Sequence, residues 1–367
     1  MPAGRGSAAF SVAPSMAPDR FPGTAGGKYL RSTIGRPDIL AAGYVQHTFG
    51  APGGGLIALW SLKNTGAPLW AAATGAGVAS LDWAAEAAGL LAVGQMDGTV
   101  AVYDVRARQA APVMAAGRGS GGHEDPAWHV RWVARGPERG EALVSISTDG
   151  RVTQWATSKG LEPTDLMRLK RVPPAPPTLS GGKPLGPSGG GGAAAPEPFI
   201  SRHAGGMCFD FSGLDGRAYL VGTEEGAIHL CSTSYAEQYG ASFAGHLGPA
   251  TALLAFQTGC DEVADAAWCP SNATAFAAVT AGGRVEVWDI ASSVHRPAAA
   301  FAAAEDAAMT CLAFAPTAPI LAAGGTAGCI AAFRLHGVPR EGESPGDAVM
   351  RLEAALAANT VRRVPGG

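Results

Sequence analysis

The densest set of potential metal ligands in the 367 residues is His123, Glu124, Asp125 and His129. Imidazole and carboxylate groups suit a hydrolytic metal centre, which needs three of them to converge on one point and leave a coordination position open. On a strand, residues an even number apart share a face, so His129 goes with Arg131 and Val133, while Trp128, Val130 and Trp132 take the other side. No second ligand shares the His129 face, and the other three precede the strand rather than line it. The cluster therefore reads as structural, and no metal is expected.

Other catalytic anchors are missing. The chain has no G-x-S-x-G elbow, no G-x-x-x-x-G-K-S/T loop and no H-E-x-x-H helix, so hydrolase, nucleotide-binding and zinc-protease readings lose their usual starting point. The GAGVAS run at Gly75 to Ser80 precedes a strand instead of a helix, which disqualifies it as a dinucleotide loop. Pro184 removes a backbone donor where Gly181-Gly182-Lys183 would need a helix to begin. No enzymatic activity, cofactor or small-molecule substrate is expected. Of the eight tryptophans, Trp60, Trp83, Trp132, Trp155 and Trp268 fall on apolar strand positions or strand ends and read as core packing rather than a ligand cage. The run Met167 to Arg171 offers Arg168, Lys170 and Arg171 as candidate contacts for an acidic partner, although a solvated strand face is the plainer reading.

A net charge of -3 with no basic stripe argues against nucleic acid. Six cysteines without a C-x-x-C pair suit a reducing compartment. Ala307 to Phe333 is uncharged and long enough to span a bilayer, but its Pro and Gly residues break it into short apolar runs at Met309 to Phe314, Ile320 to Ala323 and Cys329 to Phe333, which read as strands. No membrane contact is expected. Much of the excess of 52 Gly and 27 Pro lies in two stretches. Residues 1–37 read as a disordered lead-in and 173–198 as a flexible insertion, because neither has enough apolar surface to bury.

Between these stretches the sequence repeats. A third apolar run opens on a Gly-containing turn and ends on a bulky residue or cysteine: Trp60, Tyr103, Trp155, Cys231, Trp288 and Phe333. Their separations are 43, 52, 76, 57 and 45 residues, against about 40–45 for a blade of a WD-type propeller. A first and a second run recur before it, as in VASLDW and LLAVG, or MTCLAF and ILAAGG. With a fourth strand in the connection, each unit makes one four-stranded antiparallel blade. Asp97-Gly98 and Asp149-Gly150 are the strongest hairpin turns. The fold class is thus all-β, a propeller of six recognisable blades plus a truncated seventh over residues 38–338. Residues 339–367 form a tail with a short helix, in which Asp347 caps the start and Val349, Leu352 and Leu356 share a face.

Gly122-His123 and Gly245-His246 before first strands, and Trp288-Asp289 with its variant Tyr103-Asp104 closing third strands, resemble the WD-repeat signature. The strings LIALWSLKN, LLAVGQMDGTVAVYDVR, HEDPAWHVRW, STDGRVTQW, PTDLMRLKR, MCFDFS and YLVGTEEGAIHLCSTSYAEQY are similar to the propeller of dynein intermediate chains, most of all the axonemal outer-arm branch typified by intermediate chain 1. The likeness covers residues 39–336 in order. It implies that His123, Ser147, Asp149 and Trp155 form a hydrogen-bonded set inside one blade. It also implies a non-catalytic scaffold that binds dynein heavy chain and other intermediate and light chains, in the cytoplasm, cytoskeleton and axoneme of cilia or flagella. A WD-repeat adaptor outside dynein is the alternative. Two departures stand out: the family's light-chain-binding region before the propeller has no counterpart here, and after Gly245 to Pro249 two to three strands are missing. A ring closed with six blades, an open ring and a faulty gene sequence all fit that gap.

Overall fold

In a computed structural model, the described residues are 10–12, 27–33, 36–45, 54–63, 66–135, 140–171, 203–212, 217–236, 238–244, 261–302, 308–315, 318–326, 328, 330–337 and 344–360. They form six four-stranded antiparallel sheets and one α-helix. Blade I holds β2 (Gly27–Thr33), β3 (Arg36–Val45), β4 (Gly55–Ser61) and β5 (Trp70–Thr74). Blade II holds β6 (Val78–Trp83), β7 (Leu90–Gln95), β8 (Val100–Asp104) and β9 (Met114–Ala116). Blade III follows with β10 (Ala127–Ala134), β11 (Glu141–Ser147), β12 (Arg151–Ala156) and β13 (Glu162–Arg168). Blade IV has β14 (Gly206–Phe211), β15 (Ala218–Thr223), β16 (Ala227–Ser232) and β17 (Ala241–Ala244). Blade V comprises β18 (Val263–Trp268), β19 (Ala275–Thr280), β20 (Arg284–Asp289) and β21 (Ala299–Ala302). Blade VI comprises β22 (Met309–Phe314), β23 (Ile320–Gly325) and β24 (Ile330–Leu335), and its fourth place is taken by β1 (Phe10–Val12), with Phe10 opposite Leu335.

β1 and β2 lie within residues 1–37, which composition alone assigns to a disordered lead-in, so strand structure begins ahead of the expected boundary at 38. Averaging over Gly and Pro hides the short β-forming run at Tyr29, Leu30, Ser32 and Thr33. The uncharged segment expected as three strands is β22 to β24, and among the described residues no helix is long and apolar enough to cross a membrane. The insertion at 173–198 and the site of the truncated seventh blade lie outside the described residues.

The middle strands β7 and β23 are buried on both faces because their blades are sandwiched between neighbours. That is why LLAVG and ILAAGG read as continuous apolar runs instead of alternating ones. The first strand of every blade carries a bulge at its second residue: Lys28, Ala79, Trp128, Met207, Ala264 and Thr310 each drop out of the ladder. An extra residue bends and twists a strand locally, and repeating it once per blade gives all six first strands the same shape.

Five of the six blade junctions hold a buried apolar cluster. Ile57 and Leu59 meet Leu81 and Tyr103 between blades I and II, and Val100 and Val102 meet Leu143 and Trp155 between II and III. Val144 and Ile146 meet Phe209 and Tyr219 between III and IV; Val285 and Val287 meet Leu321 and Phe333 between V and VI; and Cys311 and Ala313 meet Tyr44 and Trp60 between VI and I. Among the described residues no such cluster joins IV to V.

The tail helix α1 (Pro345–Thr360) lays Leu352 and Ala355 on Phe276, Ile290 and Val294 of blade V, and Arg351 Nη2 donates to Asn272 Oδ1 at 2.8 Å. Its cap is Ser344, whose Oγ accepts the Asp347 N–H at 3.2 Å and donates to Asp347 Oδ2 at 2.7 Å. Asp347 is thus the third helical residue, bonded to the Ser344 hydroxyl, rather than the cap itself. Val349, expected on the apolar face, is exposed.

Candidate functional site

The most chemically organised place in the molecule is the polar set inside blade III. His123 enters from the loop before β10 and is wholly buried. Its Nδ1 lies 2.9 Å from Asp149 Oδ2, and its Nε2 lies 2.6 Å from Ser145 Oγ. Trp155 Nε1 donates to the same Ser145 oxygen at 2.8 Å. The resemblance pointed to Ser147, and that residue is corrected. Ser147 Oγ instead donates to the Asp125 carbonyl at 3.0 Å and accepts the Asp149 N–H at 3.3 Å, bracing the loop and turn. Both serines point to one side of β11. Only Ser145, opposite Thr153, comes close enough to the imidazole and indole together.

Burial pushes the Asp149 carboxyl up, but the hydrogen bond from His123 and the N–H groups of Arg151 and Glu124 outweigh it, leaving the pKa below the ordinary carboxylate value. The ionised form thus accepts Nδ1–H, which leaves Nε2 to accept the Ser145 hydroxyl proton. Trp155, Ser145, His123 and Asp149 then form one chain of donors and acceptors with every member satisfied. Carboxylate, imidazole and hydroxyl stand in the order of an acyl-transfer triad. Here Ser145 and His123 are fully buried, and Ser145 Oγ is occupied by an indole N–H, so no substrate reaches it. The set works as a pin between the incoming loop, the β11–β12 turn and the blade core.

The remaining signature residues play structural parts. Gly98 sits at φ +86 in the β7–β8 turn, where a Cβ would run into the His123 carbonyl, and its own carbonyl accepts the His123 N–H at 3.1 Å. Tyr103 is buried edge-on to Trp70, and Asp104 caps the turn after β8 and pairs with Arg106. Trp288 is buried against Phe276 and donates to Glu286 Oε2, while Asp289 Oδ1 accepts the Thr274 hydroxyl at 2.7 Å. His246 lies outside the described residues.

The metal cluster does not assemble. Among the described residues no three His, Cys, Asp or Glu side chains converge. His129 Nδ1 accepts the Phe209 N–H at 3.3 Å across the junction of blades III and IV. Asp265 does the same for Leu312 between V and VI, and Asp82 for Trp132 between II and III. These first-strand acceptors tie neighbouring blades together. Nothing in the residue spacing distinguished them from surface groups. In the basic run, Arg168 pairs with Asp165 and Arg171 with Glu224 and Glu225, while the Lys170 backbone N–H and carbonyl both bond the Tyr239 hydroxyl. Much of its charge is therefore met within the blade and its neighbour.

The junction of blades IV and V stands apart. Cys208, Asp210, Leu220, Leu230, Ile228 and Phe243 share one face of blade IV by strand register. Of these, Leu220 is 45% exposed and Phe243 54%. On blade V the face toward IV carries Ala266, Phe276 and Trp268, and Trp268 is 58% exposed, against its expected place in the core. Crowding by protein atoms pushes the Cys208 thiol pKa up, and the carboxylates of Asp265, on the first strand of blade V, and Asp210 add to it. Among the described residues no buried cluster forms between these two apolar walls.

Among known proteins, the chain is 35% identical to dynein axonemal intermediate chain 4 of Mus musculus, over 85% of this chain and 42% of that protein. It is 33% identical to the 78 kDa intermediate chain of the flagellar outer arm dynein of Chlamydomonas reinhardtii, over 81% and 46%, and 28% identical to dynein axonemal intermediate chain 1 of Rattus norvegicus, over 69% and 32%. The chain spans about two-fifths of the length of the curated relatives it matches. No family model matches it.

Proposed function

Because the chain belongs to the axonemal dynein intermediate chains through its WD-repeat propeller, we propose that it is a non-catalytic scaffold subunit of an outer-arm dynein. In this reading it binds dynein heavy chain and works beside other intermediate and light chains in cilia or flagella. The observation that carries the reading is the 33% identity, over most of the chain, to an intermediate chain of a flagellar outer arm. The interior supports it: the triad-like constellation of blade III is sealed and fully hydrogen-bonded, which suits a rigid frame that displays loops and faces. In such a frame a few buried anchors supply most of the affinity. Arg168, Lys170 and Arg171 are offered as contacts on that frame.

The test is affinity purification of the tagged full chain from ciliated cells, followed by mass spectrometry and by imaging of the tag along the axoneme. Recovery of heavy chain with other dynein chains is the expected result. Recovery of unrelated partners and no dynein chain would replace this reading with a WD-repeat adaptor outside dynein.

A further inference from the structure

We propose that the slot between blades IV and V takes an amphipathic helix of a partner chain, aliphatic along the stripe it buries and basic on its flanks. The proposal rests on the scaffold reading and adds where and what the scaffold holds.

Every other junction is filled by the adjoining blade. Only eighteen residues join β17 to β18, too few for another blade of about 40–45 residues. Among the described residues nothing covers the apolar side chains of the two walls: Leu220, Ile228 and Phe243 on one side, Trp268 on the other, with Met207 and Val263 at their first strands, all substantially exposed. Exposed apolar patches beyond about 300–600 Å² mark interaction sites on monomers.

The walls are sheet faces, not edges. They offer side chains and no free backbone donors or acceptors, so a single strand entering the slot would leave its own N–H and C=O groups unpaired. A helix satisfies its backbone internally and needs only an apolar stripe. Blade V already receives one in this way, since α1 packs Leu352 and Ala355 beside Phe276 and leaves Val349 and Met350 exposed. Phe276 in turn meets Trp268 edge-on at 5.4 Å, so the α1 contact runs on into the slot wall.

Charge selects the flanks. Asp261 and Glu262 lead into blade V, and Glu224 and Glu225 form the β15–β16 turn of blade IV. The bases beside them are Arg171, which pairs with both glutamates, and Arg284. The rim is thus acidic around an apolar interior.

Fluorescence anisotropy with the full chain and two synthetic helical peptides tests this, the peptides sharing one leucine stripe and differing in Lys or Glu on the flanks. The Lys peptide should bind about tenfold or more tighter than the Glu peptide, and Trp268→Ser or the pair Leu220→Ser and Phe243→Ser should weaken it about tenfold or more. Val113→Ser, at an exposed apolar residue of blade II, should change nothing. Unchanged denaturation midpoints would show that the variants are folded. Equal binding of both peptides, or equal loss in the Val113 variant, would overturn the proposal. So would a dimer in sedimentation that the slot substitutions dissolve, since the occupant would then be a second copy. Capture of heavy chain undiminished by the slot substitutions would leave the scaffold reading standing and remove the slot. Peptide binding without heavy chain would do the reverse.

Discussion

Blade III and the junction of blades IV and V are built from the same repeat and end in opposite conditions. In blade III every buried polar atom of the His123 set has a partner, and apolar clusters seal both of its faces. At the IV–V junction one face of each blade has no neighbouring face closing over it among the described residues. The difference is not one of local propensity, since strands, bulges and hairpin turns recur in both. A blade is stable only to the extent that something covers its two faces, and the repeat supplies the strands without guaranteeing the cover.

The contrast is sharpest in tryptophans. Trp155→Ala should cost about 3–5 kcal/mol, because it empties a packed site and strands its partners, whereas Trp268→Ala should stay within about 0.5 kcal/mol. Matched urea denaturation curves read both, and equal losses would mean that the IV–V faces are sealed after all. Within blade III, Ser145→Ala should cost about 1–3 kcal/mol by leaving the Trp155 indole N–H and His123 Nε2 without their shared oxygen. Ser147→Ala should cost about 1 kcal/mol, the net worth of an ordinary hydrogen bond.

Acid separates the regions too. The folded-state pKa of Asp149 is depressed, so its contribution to stability is full above the unfolded-state value of about 3.9 and is lost as pH falls through the folded value. Asp149→Asn should lower stability at pH 7 by about 1–2 kcal/mol and flatten the pH dependence of the denaturation midpoint below about pH 4. An unaltered acid limb in the variant would remove Asp149 from the account. The smallest effect belongs to the tail: Ser344→Ala should cost about 1 kcal/mol of helix stability, seen as faster amide exchange over residues 345–360 with the blades unchanged.

Much of the ring could be read in advance. Third strands announced themselves through Gly turns and terminal aromatics, and the first strands at Val78, Val263 and Met309 begin where the repeat placed them. Details that depend on register were hidden. Ser145 and Ser147 present the same residue type on the same side of a strand, and only the pairing of β11 with β12 decides which oxygen meets the imidazole. The bulges were hidden for a similar reason, since the residues that drop out of the ladder, from Ala79 to Trp128, share no chemistry. Trp268 sits in a core-like pattern, yet its burial depends on what stands opposite, which a strand's own spelling does not contain. β1 was hidden because three residues in a Gly- and Pro-rich stretch carry no period of their own, and their partner strand lies at the far end of the propeller.

That last pairing sets an order of events during synthesis. Phe10 leaves the ribosome some three hundred residues ahead of Leu335, which stands opposite it. At about 5–20 residues per second the wait is roughly fifteen seconds to a minute. Throughout that interval β1 is made but the other three strands of blade VI are not, and the nascent chain depends on whatever in the cell shields unpaired strands.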